Sequence, residues 1–129
     1  MANNKTNYLE NAIINHVLRA IALASPATVY VGLFTAAPGE AGGGTEVTGG
    51  SYARVAVTFV APTDGATDNS ADVTFPTATA NWGTVTHFAI FDALTLGNML
   101  YYGALTTART VNSGDQAKFL AGALDVAEL

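Results

Sequence analysis

The chain contains no cysteine, which excludes a disulfide framework and any thiolate metal site. Charge is also scarce: charged residues make up 12% of the sequence, against roughly 25% in an ordinary soluble domain. The basic residues are Lys5, Arg19, Arg54, Arg109 and Lys118, and they are scattered. No basic patch is available for a phosphate backbone, so nucleic acid is not an expected partner. The net charge of −5 identifies no partner either. Long apolar runs are missing too. Ala12–Ala24 is apolar, but His16 and Arg19 interrupt it and it is too short to span a bilayer. Lys5 is a thin positive lead, and Asn7 and Glu10 interrupt the residues after it, so the start does not read as a leader. A soluble chain with no membrane partner is the expectation.

What is present is a domain's length, 129 residues, half of them apolar, enough for a real core. Abundant Ala, Thr and Gly with little charge suits surfaces that meet other protein, and equally an alanine-rich β domain. We expect one compact domain over residues 1–129, with a helix over 7–25 and a β domain over 28–127. Residues 1–6 are polar and expected to fray. NYLENAIINHVLRAIALASP opens with Asn7 and Glu10 three residues apart, a capping-box pattern. Leu9, Ile13, Val17, Ala20, Ile21 and Ala24 recur at helical spacing, and Ile14 and Leu18 widen the stripe. Ser25-Pro26 is the expected stop. Such a helix either covers its own sheet or is wide enough to touch a second subunit as well.

From Thr28 the period changes to two. TVYVGLF alternates with apolar groups on both faces, so a strand covered on both sides is expected. Ala37-Pro38-Gly39 ends it, and EAGGGTEVTGG is a long loop holding Gly42, Gly43, Gly44, Gly49 and Gly50. YARVAVTF, VTHFAIFD and NMLYYGAL read as strands, the last two joined by a hairpin turn at Leu96-Gly97-Asn98. ADVTF gives a short strand ended by Pro76. RTV and AKFLAGALDV finish the chain, with Ala121-Gly122-Ala123 as a bulge. Six or seven short strands indicate a mainly β fold: an antiparallel β-sandwich or small barrel with one N-terminal α-helix.

Tests for chemistry return little. The glycine-rich loop leads into a strand and has no lysine, so it does not match a phosphate-cradling loop. Its glycines serve backbone freedom instead. His16 sits in no zinc-binding helix motif, and His87 has no nucleophile context. Asp64, Asp68 and Asp72 are the one carboxylate cluster to weigh for calcium, but they lack the twelve-residue loop spacing, and Asx turns explain them. No catalytic residue, metal site or cofactor is expected. Tyr52, Trp82 (in TANWGTV) and Tyr102 are the aromatic candidates for an interface, with core filling as the alternative.

Three segments carry a resemblance. VYVGLFTAAPGEAGGGTEVTGGSYARVAVTF, ADVTFPTATANWGTVTHFAIFDA and NMLYYGALT together resemble a family of small bacteriophage virion proteins, often labelled tail-fibre-like or structural. The resemblance covers about residues 24–126 and implies a non-enzymatic particle component. The chain has neither heptads nor a collagen-like repeat, which turns that implication toward a capsid decoration (cement) protein or another accessory subunit. Its expected place is the capsid surface rather than the tail. Expected partners are other virion proteins, including the major capsid protein, and further copies of itself, a trimer preferred. The alternative is a tail or tail-fibre-associated protein that binds a host receptor or glycan. On this reading Gly42–Ser51 is a surface arm touching a neighbour, anchored by Tyr52–Phe59. The interface set is then Gly42, Gly43, Gly44, Gly49, Gly50, Tyr52, Trp82 and Tyr102.

Overall fold

The computed structural model describes residues 4–128. In chain order the elements are β1 (Asn4–Lys5), α1 (Asn7–Leu18), β2 (Val29–Ala36), β3 (Thr45–Glu46) and β4 (Val55–Val57). They continue as β5 (Ala66–Thr67), β6 (Val73–Thr74), β7 (Gly83–Phe91), β8 (Met99–Val111), β9 (Lys118–Phe119) and β10 (Val126–Ala127). The fold is mainly β and antiparallel, as expected. It is a sandwich-like stack rather than a barrel, because the large sheet is open. Its order is β1-β8-β7-β2-β3, and β4 takes the remaining length of the β2 edge.

That edge explains the stretch from Thr45 to Phe59. Val29, Tyr30 and Val31 pair with Val57, Ala56 and Val55, while Phe34 and Ala36 pair with Glu46 and Thr45. β3 and β4 are thus two pieces of one antiparallel return along β2, interrupted by the excursion through Gly49 and Gly50. The strand expected over Tyr52–Phe59 is only three residues long, because Tyr52 and Arg54 turn aside to bond the Glu46 carboxylate.

One face of the large sheet carries the main core. Val31, Leu33, Val57, Val85, Phe88, Ile90 and Val111 pack there against Val73, Phe75, Ala78, Trp82, Leu124 and Val126. The opposing layer consists of two short ribbons, β6–β9 and β5–β10, with the connecting segment between β6 and β7. Phe119 meets the rings of Phe75 and Phe88 edge-on, with centroids 6.2 and 6.1 Å apart. Such pairs add to the burial term. The other face carries a smaller cluster of Phe34, Ala89, Phe91 and Met99, with Tyr102 against it. β2 is therefore apolar on both faces because both faces are covered.

Four expectations change. The N-terminus is ordered at Asn4 and Lys5, which pair with Tyr102 and Tyr101 of β8; residues 1–3 of the expected frayed end lie outside the described residues. The helix cap is Thr6, not Asn7: its Oγ1 accepts from the Leu9 amide at 3.4 Å and donates to the Met99 carbonyl at 2.6 Å. The helix also stops at Leu18, well before Ser25-Pro26. Ala20 takes a positive φ of 55°, and the Arg19 and Ile21 amides both donate to the Asn15 carbonyl. His16 Nδ1 then accepts from the Leu23 amide at 3.2 Å, holding the chain in its turn away from the helix axis. At the end of the chain, AKFLAGALDV forms β9 and β10 on separate ribbons, divided by a turn at Gly122 (φ 82°) rather than re-phased by a bulge.

Asn69 knits this last part together. Its side chain donates to the Ala71 and Leu120 carbonyls at 2.8 and 3.0 Å and accepts from the Leu124 amide at 2.9 Å. The residue is buried, so losing the amide would strand backbone groups away from water. Asn69→Ala is expected to lower stability by about 2–3 kcal/mol. Urea unfolding should show this as a lower midpoint with an unchanged slope.

Candidate functional site

The split return along β2 brings three polar side chains to one point. Glu46 closes β3, and the chain comes back through Tyr52 and Arg54 before β4. Arg54 Nε and Nη2 donate to Glu46 Oε2 and Oε1, each at 2.9 Å, a two-pronged pairing. The Tyr52 hydroxyl donates to Glu46 Oε2 at 2.6 Å and accepts from the Leu33 amide at 2.9 Å. This cluster lies over Gly32. A Cβ there would come within 2.7 Å of Glu46 Oε2 and 3.1 Å of the Tyr52 hydroxyl, so a larger residue would push the carboxylate and the phenol out of this arrangement. Arg54 reaches further: Nη1 donates to the Ala93 and Leu96 carbonyls at 2.9 and 2.8 Å. Its guanidinium carbon sits 3.4 Å from the centroid of the Phe91 ring, a cation–π contact. Burial, and then the hydrogen bond to Glu46, push the Tyr52 phenol well above its ordinary range.

Beside this cluster opens a cleft of about 600 Å³. Asn7 and Tyr8 at the start of α1, Glu40, the Gly42–Gly44 run, Arg54 and Asn98 contribute to its walls. The Asn7 amide donates to the Glu40 carbonyl at 2.8 Å, which ties the helix start to the loop. Nearby, burial and the charges of Glu40 and Glu10 raise the Tyr102 phenol. Neither imidazole lines the cleft. His87 Nδ1 lies 2.8 Å from Thr86 Oγ1, and His16 serves the chain turn. The cleft offers carboxylates, amides and a phenol for polar contact.

The residues singled out from sequence separate into groups. Gly42 and Gly43 have positive φ and open space where a side chain would stand, whereas Gly44 is packed against Pro38. Gly49 and Gly50 do not form a free arm. The Gly50 carbonyl accepts from Trp82 Nε1 at 2.9 Å and from the Thr79 amide at 3.0 Å, and Ser51 Oγ lies 2.9 Å from Thr79 Oγ1. Trp82 is 6% exposed and meets Tyr52 edge-on with ring centroids 5.4 Å apart. Both aromatics fill the core and spend their polar atoms inside the chain. Tyr102 lies half-buried on the opposite face of the large sheet. The eight residues therefore do not share one surface.

Among the described residues, no three carboxylate or imidazole groups converge as a cation site. Asp72 instead accepts from the Ala121 amide at 2.8 Å and pairs with Lys118 at 3.3 Å, and these contacts, the amide first, lower its carboxyl. Asp64 sits in a turn at φ 52°. Glu46 and Arg54 are the pair that the sequence reading passed over. The available signal was one acid and one base flanking a Gly-Gly turn, with a glycine in the middle of the neighbouring strand.

A family model described as Podophage GP4 fiber I protein gp80 matches residues 4–127. The chain belongs to this family. No curated protein matches it. The span matched by the fibre-protein model includes the Glu46–Arg54 cluster, the cleft and the whole of α1.

Tyr52 and Tyr101 make the fold sensitive to alkali. Tyr101 is raised by burial and by its hydrogen bond to Glu128. Both phenols hold their protons longer folded than unfolded. The stability they contribute is complete below the unfolded value of about 10 and falls as pH rises above it. Tyr52→Phe is expected to cost about 1–3 kcal/mol at neutral pH by leaving the Leu33 amide and Glu46 short of a partner. It should also flatten the loss of stability above pH ~10. Urea midpoints followed into alkali for both proteins test this, and equal alkaline slopes would contradict it.

Proposed function

We propose that the chain is a non-enzymatic structural subunit of a phage fibre, seated on neighbouring virion proteins through the outer face of α1. The observation that carries this is the placement of the helix's apolar residues. Leu9 faces inward and is buried, yet Ile14, Val17 and Leu18 are 52%, 68% and 76% exposed. Spaced three and four apart, they form one stripe, and Ile21 continues the exposed apolar surface beyond the helix end. Apolar area left in water forgoes roughly 25 cal/mol per Å². A twelve-residue helix is too short to be stable by propensity alone. Such a stripe is what an assembly face presents.

The polar clusters support a structural role. Arg54, Glu46 and Tyr52 are engaged with one another and with backbone groups. The membership in a fibre family favours a place on the tail or its fibres over capsid decoration. Antibody labelling of intact particles separates the two: label at the fibres is the expected result, and even label over the shell would return the reading to decoration. The helix face is tested by Leu18→Asp. An exposed substitution of this kind is expected to change the isolated chain's stability by no more than about 0.5 kcal/mol, while incorporation into particles is lost. Normal incorporation would remove α1 as the seat.

A further inference from the structure

The β7–β8 hairpin carries an apolar knob at one end and an apolar-floored pocket at the other. The knob is the turn between the strands. Asp92 accepts from the Asn98 backbone amide and side-chain amide at 2.7 and 3.0 Å, and the Asp92 amide donates to the Asn98 carbonyl at 3.2 Å. Arg54 holds the Ala93 and Leu96 carbonyls from below. This fixed turn displays Leu94 and Leu96 outward. Leu96 is 86% exposed and stands at φ 55°, a backbone region that leucine seldom adopts. The turn is therefore held in a shape that leaves Leu96 almost wholly in solvent and Leu94 half exposed.

The pocket lies at the far end of the same hairpin, where Val85 pairs with Arg109. It measures about 420 Å³, with Leu33, Val85, Leu105, Val111 and Phe119 supplying its apolar surface. Here β8 departs from its partner. The register steps from His87↔Ala104 to Val85↔Arg109, so the segment 105–108 bows away and leaves the pocket open. The charges at the two ends complement each other. Asp115 is engaged by the Asn112 amide, and Lys118 pairs with Asp72. Arg109, at the pocket rim, has no ion-pair or hydrogen-bond partner for its side chain among the described residues. At the knob, Asp92 is bonded to amides only and has no cation partner among the described residues.

We infer that copies of this chain associate head to tail, the Leu94–Leu96 knob of one entering the Leu105–Arg109 pocket of the next. A rigid apolar knob meets an apolar pocket, and the Asp92 carboxylate beside the one, bonded to amides but to no cation, approaches the Arg109 guanidinium beside the other. Such a contact is heterologous, so it closes into a ring or runs on as a filament according to the rotation between copies. A ring of three is one way to reach the trimer expected from sequence. The contact belongs to the isolated chain and does not depend on where the protein sits on the particle.

The absence of native cysteine allows a direct test on the full chain. Leu96→Cys and Leu105→Cys are made separately, mixed in equal amounts and oxidised mildly. The expected product is the mixed 96–105 dimer in clear excess over both same-variant dimers, with each variant alone giving little cross-linked product. Adding Arg109→Glu to the Leu105→Cys chain should lower the yield by about tenfold, the factor that about 1.4 kcal/mol carries. Thermal unfolding of each variant checks that the pocket is folded, and Leu96→Cys removes no packed side chain. Random pairing, no cross-link, or a yield indifferent to Arg109 would each overturn the inference. None of these outcomes would disturb the assignment to a fibre family.

Discussion

The two-pronged pairing of Arg54 with Glu46, set over Gly32, is the contact on which the rest of the sheet depends. Removing two charges from water is costly, and a buried ion pair is seldom stabilising by itself. Here the cost is offset by what the pair completes. Glu46 ends β3, Arg54 precedes β4, and both strands need the same edge of β2. With Tyr52 donating into the same carboxylate and accepting from Leu33, the interrupted return is pinned at its break. Arg54 also bonds two carbonyls of the β7–β8 turn. One side chain therefore joins the strand edge to the hairpin tip.

Much of the architecture was legible in the sequence. Period-two patterning in TVYVGLF, VTHFAIFD and NMLYYGAL located the three long strands, since a half-buried pleat imposes alternation. Leu96-Gly97-Asn98 located the hairpin, because Leu96 and Gly97 both take positive φ there. The helix end was misread for a local reason. Ser25-Pro26 is a strong stop, but the Asn15 backbone carbonyl and the His16 ring capture the chain earlier, and neither is a standard stop signal in the sequence. Short ribbons such as β5–β10 were hidden because two residues carry no period.

The site was less legible. In the sequence Tyr52 and Trp82 are interface candidates with core filling as the alternative, and in the structure the glycines near them let the backbone come close enough to pack both rings into the core. A Cβ on Gly50 would sit 2.9 Å from Trp82 Nε1. Composition offers no means of telling a loop that is free from one that is docked. Among the described residues, the three most exposed large apolar side chains, Leu96, Leu18 and Val17, lie instead on the hairpin tip and α1. At the tip, hydrogen bonds rather than packing hold the backbone. The chain thus combines a satisfied interior with apolar groups displayed on ordered elements, which is the division of labour a virion structural subunit requires.

Amide hydrogen exchange on Arg54→Lys probes the central pairing most directly, because lysine keeps the charge but loses the fork that serves Glu46 and the two carbonyls. Amides at the 92–98 turn and at Leu33 should lose protection strongly. Those of the β6–β9 ribbon, which lie outside the network, should hold theirs. A uniform loss over the whole sheet, or no change at the turn, would contradict the view that this one guanidinium organises the β2 edge and the hairpin tip together.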